Sequence, residues 1–164
     1  MLNNPKMIIV GMADLNVTKS PGALTTLGLG SCVGIALYDK TAKVAGLAHI
    51  MLPDSKKIQN NSNIAKFADT AIVQLIKDME AIGAKKIHMK AKIAGGAQMF
   101  AFNSNIESMR IGDRNVEATN EIMRALGIPI VSRDTGETYA RTVEIYADDG
   151  RLYVKTIGHG NKYI

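Results

Sequence analysis

The chain has a single cysteine, Cys32, at the end of the run Gly28-Leu29-Gly30-Ser31-Cys32. A lone thiol most often serves as a small buried hydrophobe. Two glycines and a serine in front of it pack a core poorly, however. They are suited to exposing backbone N–H groups and to letting a substrate carbonyl come close. Residue type alone therefore leaves two readings, an inert core thiol and a nucleophile. A thiol with a reference pKa of about 8.5 needs a partner that takes its proton. His49 lies in the otherwise apolar run Gly46-Leu47-Ala48-His49-Ile50-Met51. An imidazole there must hydrogen-bond or face a cleft. If residues 43–51 pair with residues 32–38 through the loop at 39–42, His49 is expected opposite the Leu29–Cys32 end of its partner. A Cys–His pair within reach of a substrate is the minimum kit for thiol catalysis.

A third group usually orients the base. Thr25, Thr26 and Ser31 are the candidates, although strand propensity alone accounts for the two threonines. His88 falls on an alternating segment and His159 near an end expected to fray, so neither is expected to act. One Cys and three His without paired spacing do not suggest a metal site.

These residues must be positioned by elements, and the pattern supplies them. Residues 7–12, 23–29, 32–38, 43–51, 86–93, 128–132, 141–147 and 151–157 read as strands. In the segment 32–38, Val33, Ile35 and Leu37 share one face. Cys32, Gly34 and Ala36 share the other, a face of small residues that a neighbour could approach closely. Residues 64–82 carry the clearest helical period, with Asn63 as a start signal and Gly83 at the end. A second helix is expected over 113–126, stopped by Gly127 and Pro129, with Asp113 as a possible cap. Asp149-Gly150 signals a hairpin. The polar stretch 52–63, roughly twelve residues, is long for a loop in a compact domain. Gly95-Gly96-Ala97 lacks the Lys-Ser/Thr ending of a phosphate loop and reads as a tight turn or close packing. Gln98-Met99-Phe100 reads as core rather than as an exposed patch.

Composition bounds the rest. The 164 residues, 46% of them hydrophobic and 21% charged, suit one domain over 1–164 with a real core. No apolar run reaches the roughly 18 residues of a membrane span, and the start MLNNPKMIIVGMADLN does not read as a secretory signal. A cytoplasmic, reducing location is expected. The net charge of +5 permits an acidic partner, but the basic residues cluster only as the pairs Lys56-Lys57 and Lys85-Lys86, and 5% aromatic content argues against a base-stacking surface. Nucleic-acid binding is not expected.

Separated blocks of the chain resemble the CheD family of chemoreceptor glutamine deamidases. They are TLGLGSCV from Thr26, AHIMLPDS from Ala48, FADTAI from Phe67, AKIAGGAQMF from Ala91, IGDRNVEA from Ile111, and DTG from Asp134 followed by RTVE from Arg141. Phe67 stands where many members carry Tyr, and Glu137 where a second Gly is common. The resemblance implies an α+β fold, a layered sandwich of two packed β-sheets with helices on one side, similar to deamidating toxins of the cytotoxic necrotizing factor type. It implies catalysis by Cys32, His49 and Thr26, with Gly30 and Ser31 at the oxyanion and substrate approach, and with neither metal nor cofactor. The implied substrate is the cytoplasmic helical domain of chemoreceptors. A second implied role is that of adaptor for a CheC-type phosphatase that acts on the response regulator CheY.

Overall fold

The computed structural model describes residues 6–99 and 110–164. Phe100, the last residue of the Gln98–Phe100 stretch, lies outside them, as do the first five residues.

Within this range the strands are β1 (Met7–Ile9), β2 (Asp14–Lys19), β3 (Ala23–Leu29), β4 (Val33–Asp39), β5 (Val44–Ile50), β6 (Met89–Gly95), β7 (Ile130–Thr135), β8 (Arg141–Tyr146), β9 (Leu152–Thr156) and β10 (Gly160–Tyr163). The helices are α1 (Ala68–Ala81) and α2 (Ile111–Leu126). One sheet has the order β1-β3-β8-β9-β10 and the other β2-β5-β4-β6-β7.

Strand alternation builds the layers. From β4 and β5, Val33, Ile35, Leu37, Val44, Ala48 and Ile50 face the helices and meet Ala71, Ile72, Leu75 and Met79 of α1. Ala36, Tyr38, Ala45 and Leu47 point the other way and pack on Leu24, Val143, Ile145 and Val154 of the first sheet. The order of layers is therefore helices, central sheet, outer sheet. This is the expected α+β sandwich, with both helices against the central sheet. The small-residue face of β4 is the one that takes the outer sheet closely. Each buried Leu or Ile in these layers contributes about 1.5–3 kcal/mol relative to exposure.

Several expected boundaries move, each for a local reason. The helix expected over 64–82 begins with a separate 3-10 turn at Ile64–Lys66, where Asn63 Oδ1 accepts from Ala65 N. The α-helix starts only after Phe67, which is extended and bridges to Leu52. Asp113 does not cap α2. That helix starts two residues earlier, after Arg110, and Asp113 sits in its first turn, where its charge suits the dipole. His88 lies in a 3-10 turn, not on a strand. The chain end is paired rather than frayed, since β10 runs antiparallel to β9. Strand β2 lies outside the expected strands, although Asp14-Leu15-Asn16-Val17-Thr18 alternates polar and apolar; the run is short and only half-buried on its inner face. Gly127 closes α2 in the left-handed region, φ 72°, and Asp149-Gly150 joins β8 to β9 as expected.

Candidate functional site

The site forms where β3 of the outer sheet crosses the ends of β4 and β5. Its position depends on one extra residue in β3. Thr26 pairs with Val143 and Leu29 with Arg141, so three steps on β3 match two on β8. The bulge falls at Leu27-Gly28, both exposed, and Gly28 has φ 65°, which a glycine takes without strain. Leu24 and Thr26 point inward before the bulge. The extra residue reverses the parity, so Leu29 also points inward, where it is fully buried. The chain then leaves the sheet through Gly30 and Ser31 and delivers Cys32 to the start of β4.

His49 is on β5 directly opposite Gly34 of β4. The expected register, with His49 facing the Leu29–Cys32 end, is off by at least two residues, because β4 begins at Val33 and pairs Val33 with Ile50. The consequence survives. Cys32 lies two residues before Gly34 on the same face, a diagonal neighbour of His49. Such positions stand about 7–8 Å apart, and Nε2 of His49 makes no hydrogen bond to the thiol. Both groups are nearly enclosed, Cys32 at 8% exposure and His49 at 1%.

Of the three candidates for an orienting group, only Thr26 meets the histidine. Its Oγ1 lies 2.6 Å from His49 Nδ1, across the gap between the two sheets. Thr25 alternates away and donates to Val143 O instead. The Thr26 hydroxyl also lies 2.7 Å from Val10 O, to which it donates. A hydroxyl has one proton. Both contacts are satisfied together only if that proton goes to Val10 O and Nδ1–H donates to Oγ1. Nε2 then carries the free lone pair, and it is buried with no hydrogen-bond partner among the described residues.

Burial sets the resting protonation. It pushes the Cys32 thiol up, opposed by the residue's own N–H against the sulphur. It holds His49 below the usual imidazole range. The resting pair is therefore neutral thiol and neutral imidazole near pH 7.

The loop before the thiol is held from behind. Gly30 O accepts from Ala97 N at 2.8 Å, Cys32 O from Gly96 N at 2.8 Å, and Ser31 O from Asn115 Nδ2 at 3.0 Å. In a trans peptide the N–H points opposite to the C=O. The N–H groups of Ser31 and Cys32 are thus turned away from α2 and the 95–97 turn. Gly95-Gly96-Ala97 is a close-packing turn, and a Cβ on Gly95 would collide with the Cys32 carbonyl oxygen. Met99, expected in the core, is 44% exposed and lies beside Gly30.

His88 sits at the other end of β6, 3.7 Å from Asp39, and His159 stacks on Tyr139. Neither is brought to the site. Among the described residues no three His, Cys, Asp or Glu side chains cluster as a metal ion would require, and no helix is long and apolar enough to cross a membrane. Asn115 was missed as a site residue. The available signal was a polar side chain on the buried stripe Gly112, Asn115, Thr119, Met123 of α2.

A family model described as CheD chemotactic sensory transduction matches residues 51–156. The chain belongs to the CheD family. It is 63% identical over 159 residues to the probable chemoreceptor glutamine deamidase CheD of Caldanaerobacter subterraneus subsp. tengcongensis, covering 97% of this chain and 98% of the relative. It is 53% identical over 159 residues to the chemoreceptor glutamine deamidase CheD of Halalkalibacterium halodurans, covering 96% and 98%. The family-model match starts after His49, whereas these relatives align over nearly the whole chain. Among solved structures, the Bacillus licheniformis hypothetical protein YfiH superposes with a TM-score of 0.50 at 15% identity, over 76% of this chain and 51% of that one. Neisseria meningitidis protein NMB0706 gives 0.51 at 10% identity, over 82% and 65%. These two show a shared fold, and this CheD-family chain spans about half the length of YfiH. The likeness to cytotoxic necrotizing factor stays an expectation.

Proposed function

We propose that this CheD-family protein hydrolyses the side-chain amide of specific glutamines on chemoreceptors to glutamate, with Cys32 as nucleophile, His49 as base and Thr26 as the group that orients it. The observation that carries the reading is the Thr26–His49 contact of 2.6 Å across the sheets. It leaves Nε2 of a neutral imidazole unspoken for on the strand face that also bears the only thiol. The names of the relatives supply the substrate class.

In this account Nε2 takes the thiol proton as sulphur attacks the carboxamide carbon, and the carbonyl electron pair moves to oxygen. The N–H groups of Ser31 and Cys32, turned away from α2 and the 95–97 turn, hold that oxyanion. One such donor is worth about 3–4 kcal/mol of barrier. The C–N bond breaks as the imidazolium returns its proton to the leaving nitrogen, and ammonia departs from a thioester. Water, deprotonated by Nε2, attacks the thioester. The C–S bond breaks, Cys32 regains its proton and a glutamate is left. Through both halves Nδ1–H stays on Thr26 Oγ1. Gly30 carries no side chain, and that of Met99 lies beside it, so Met99 borders the approach to the thiol. Neither metal nor cofactor enters this scheme.

Ammonia release from a purified receptor cytoplasmic fragment tests this proposal, with Cys32→Ala as control. Release by the wild type and none by the variant is the expected result, and equal rates would refute it. No described feature favours docking to a CheC-type phosphatase over this reading. A pull-down with the Cys32→Ala protein would report on that adaptor role separately.

A further inference from the structure

One side chain of α2 touches both halves of the Cys–His pair's support. Asn115 is fully buried. Its Nδ2 donates to Ser31 O at 3.0 Å and to Met51 O at 3.0 Å. Two carbonyl acceptors fix which end of the carboxamide is the NH2 group. Ser31 immediately precedes Cys32, and Met51 follows β5 two residues after His49. The amide therefore spans the nucleophile's loop and the end of the base's strand.

A second observation shows that this placement is costly. Asn115 Oδ1 is buried and has no hydrogen-bond partner among the described residues. An apolar side chain of similar size would avoid that unpaired oxygen, but it would leave Ser31 O and Met51 O without their donor. The neighbouring carbonyls of Gly30 and Cys32 are held by backbone N–H groups of Ala97 and Gly96, which no side-chain substitution removes. Asn115 holds the loop through its side chain, so a substitution there removes the hydrogen bonds themselves.

We infer that Asn115 is a positioning residue that sets the separation of Cys32 and His49, an inference that rests on the deamidase reading above. It acts through the two carbonyls and touches neither thiol nor imidazole in that role. A displacement of about 1 Å in such a pair is worth about 10²-fold in rate.

The test compares wild type, Asn115→Leu and Asn115→Asp on a receptor cytoplasmic fragment, with kcat counted per folded molecule from the unfolding curve at each pH. Asn115→Leu is expected to lose about 10²-fold in kcat with KM within about twofold. Asn115→Asp places a carboxylate against two carbonyl oxygens. It should be as slow at about pH 8, then regain at least about tenfold relative to wild type by about pH 6, as the buried carboxyl takes a proton and its O–H again reaches a carbonyl. A buried carboxylate also lowers the folded fraction at high pH, so the ratio is taken per folded molecule at each pH, where a purely structural role leaves it flat. A flat ratio, or wild-type kcat in both variants, overturns the inference. If Asn115→Leu does not fold, the pH profile of Asn115→Asp decides alone. If the wild type itself deamidates nothing, the deamidase reading fails separately. The iodoacetamide alkylation rate of Cys32 in the same proteins then decides, with a change of about fivefold or more in the Leu variant expected and identical pH–rate curves contradicting it.

Discussion

The Thr26 hydroxyl has one proton, and its destination decides the protonation of the whole site. Val10 O takes it, so His49 must donate from Nδ1 and keep Nε2 free. Thr26→Val keeps the shape and removes the acceptor. It is expected to lower kcat by about 10²-fold with KM little changed, read from initial rates of ammonia release. The neutral resting pair has its own signature. Burial raises Cys32 and lowers His49, so no thiolate–imidazolium pair is stored in the free protein. Alkylation of Cys32 should therefore climb steadily from pH 6 past the ordinary thiol pKa of about 8.5. A plateau of fast alkylation at acidic pH would contradict this. At this scale the sequence showed residue types but not contacts. Cys32 was legible because the Gly and Ser before it pack a core poorly, and His49 because an imidazole is out of place in an apolar run. Thr26 was distinguishable from Thr25 only through family resemblance, since a bond between two sheets leaves no trace in local spacing. Asn115 was hidden because its partners are backbone carbonyls distant in the chain.

At the scale of elements, the bulge in β3 and the turn after β6 bring the site together. The bulge gives Thr26 and Leu29 the same inward face, and the turn holds the Cys32 loop from behind. Gly95→Ala tests that turn. Gly95 has φ 105°, and the new Cβ would meet the Cys32 carbonyl oxygen. Urea unfolding is expected to show a loss of at least about 2 kcal/mol, with Cys32 alkylation altered as well. Strands β4 and β5 and both helices were readable from alternation and helical period. The bulge was not, because Gly28 and Gly30 in sequence fit a loop as well as a strand irregularity. The register of β4 against β5 was off because pairing depends on where the turn closes, and Asp39 itself belongs to β4.

For the whole molecule, the sandwich buries an imidazole between two sheets, and this makes stability depend on pH. His49 is held below the ordinary imidazole value of about 6.5. Below that value the unfolded chain binds a proton that the folded chain refuses, so stability falls as pH drops, by at most about 1.4 kcal/mol per pH unit, until the folded pKa is passed. His49→Gln should flatten this part of the acid-unfolding curve, and thermal unfolding of both proteins between pH 7 and 5 measures it. Equal slopes would mean that His49 binds protons in the fold as it does in the unfolded chain, contradicting its burial-lowered affinity. The layer order was legible only through resemblance, since strand and helix order alone fits several sandwiches.

In the proposed cycle Cys32 forms a thioester which water then opens. Tandem mass spectrometry of a receptor cytoplasmic fragment incubated in 18O-labelled water with wild type and with Cys32→Ala tests it most directly. Particular glutamines are expected to become glutamates carrying one 18O each, and none with the variant. Conversion at the same glutamines by Cys32→Ala, or no conversion by a wild type whose Cys32 alkylates normally, would contradict it.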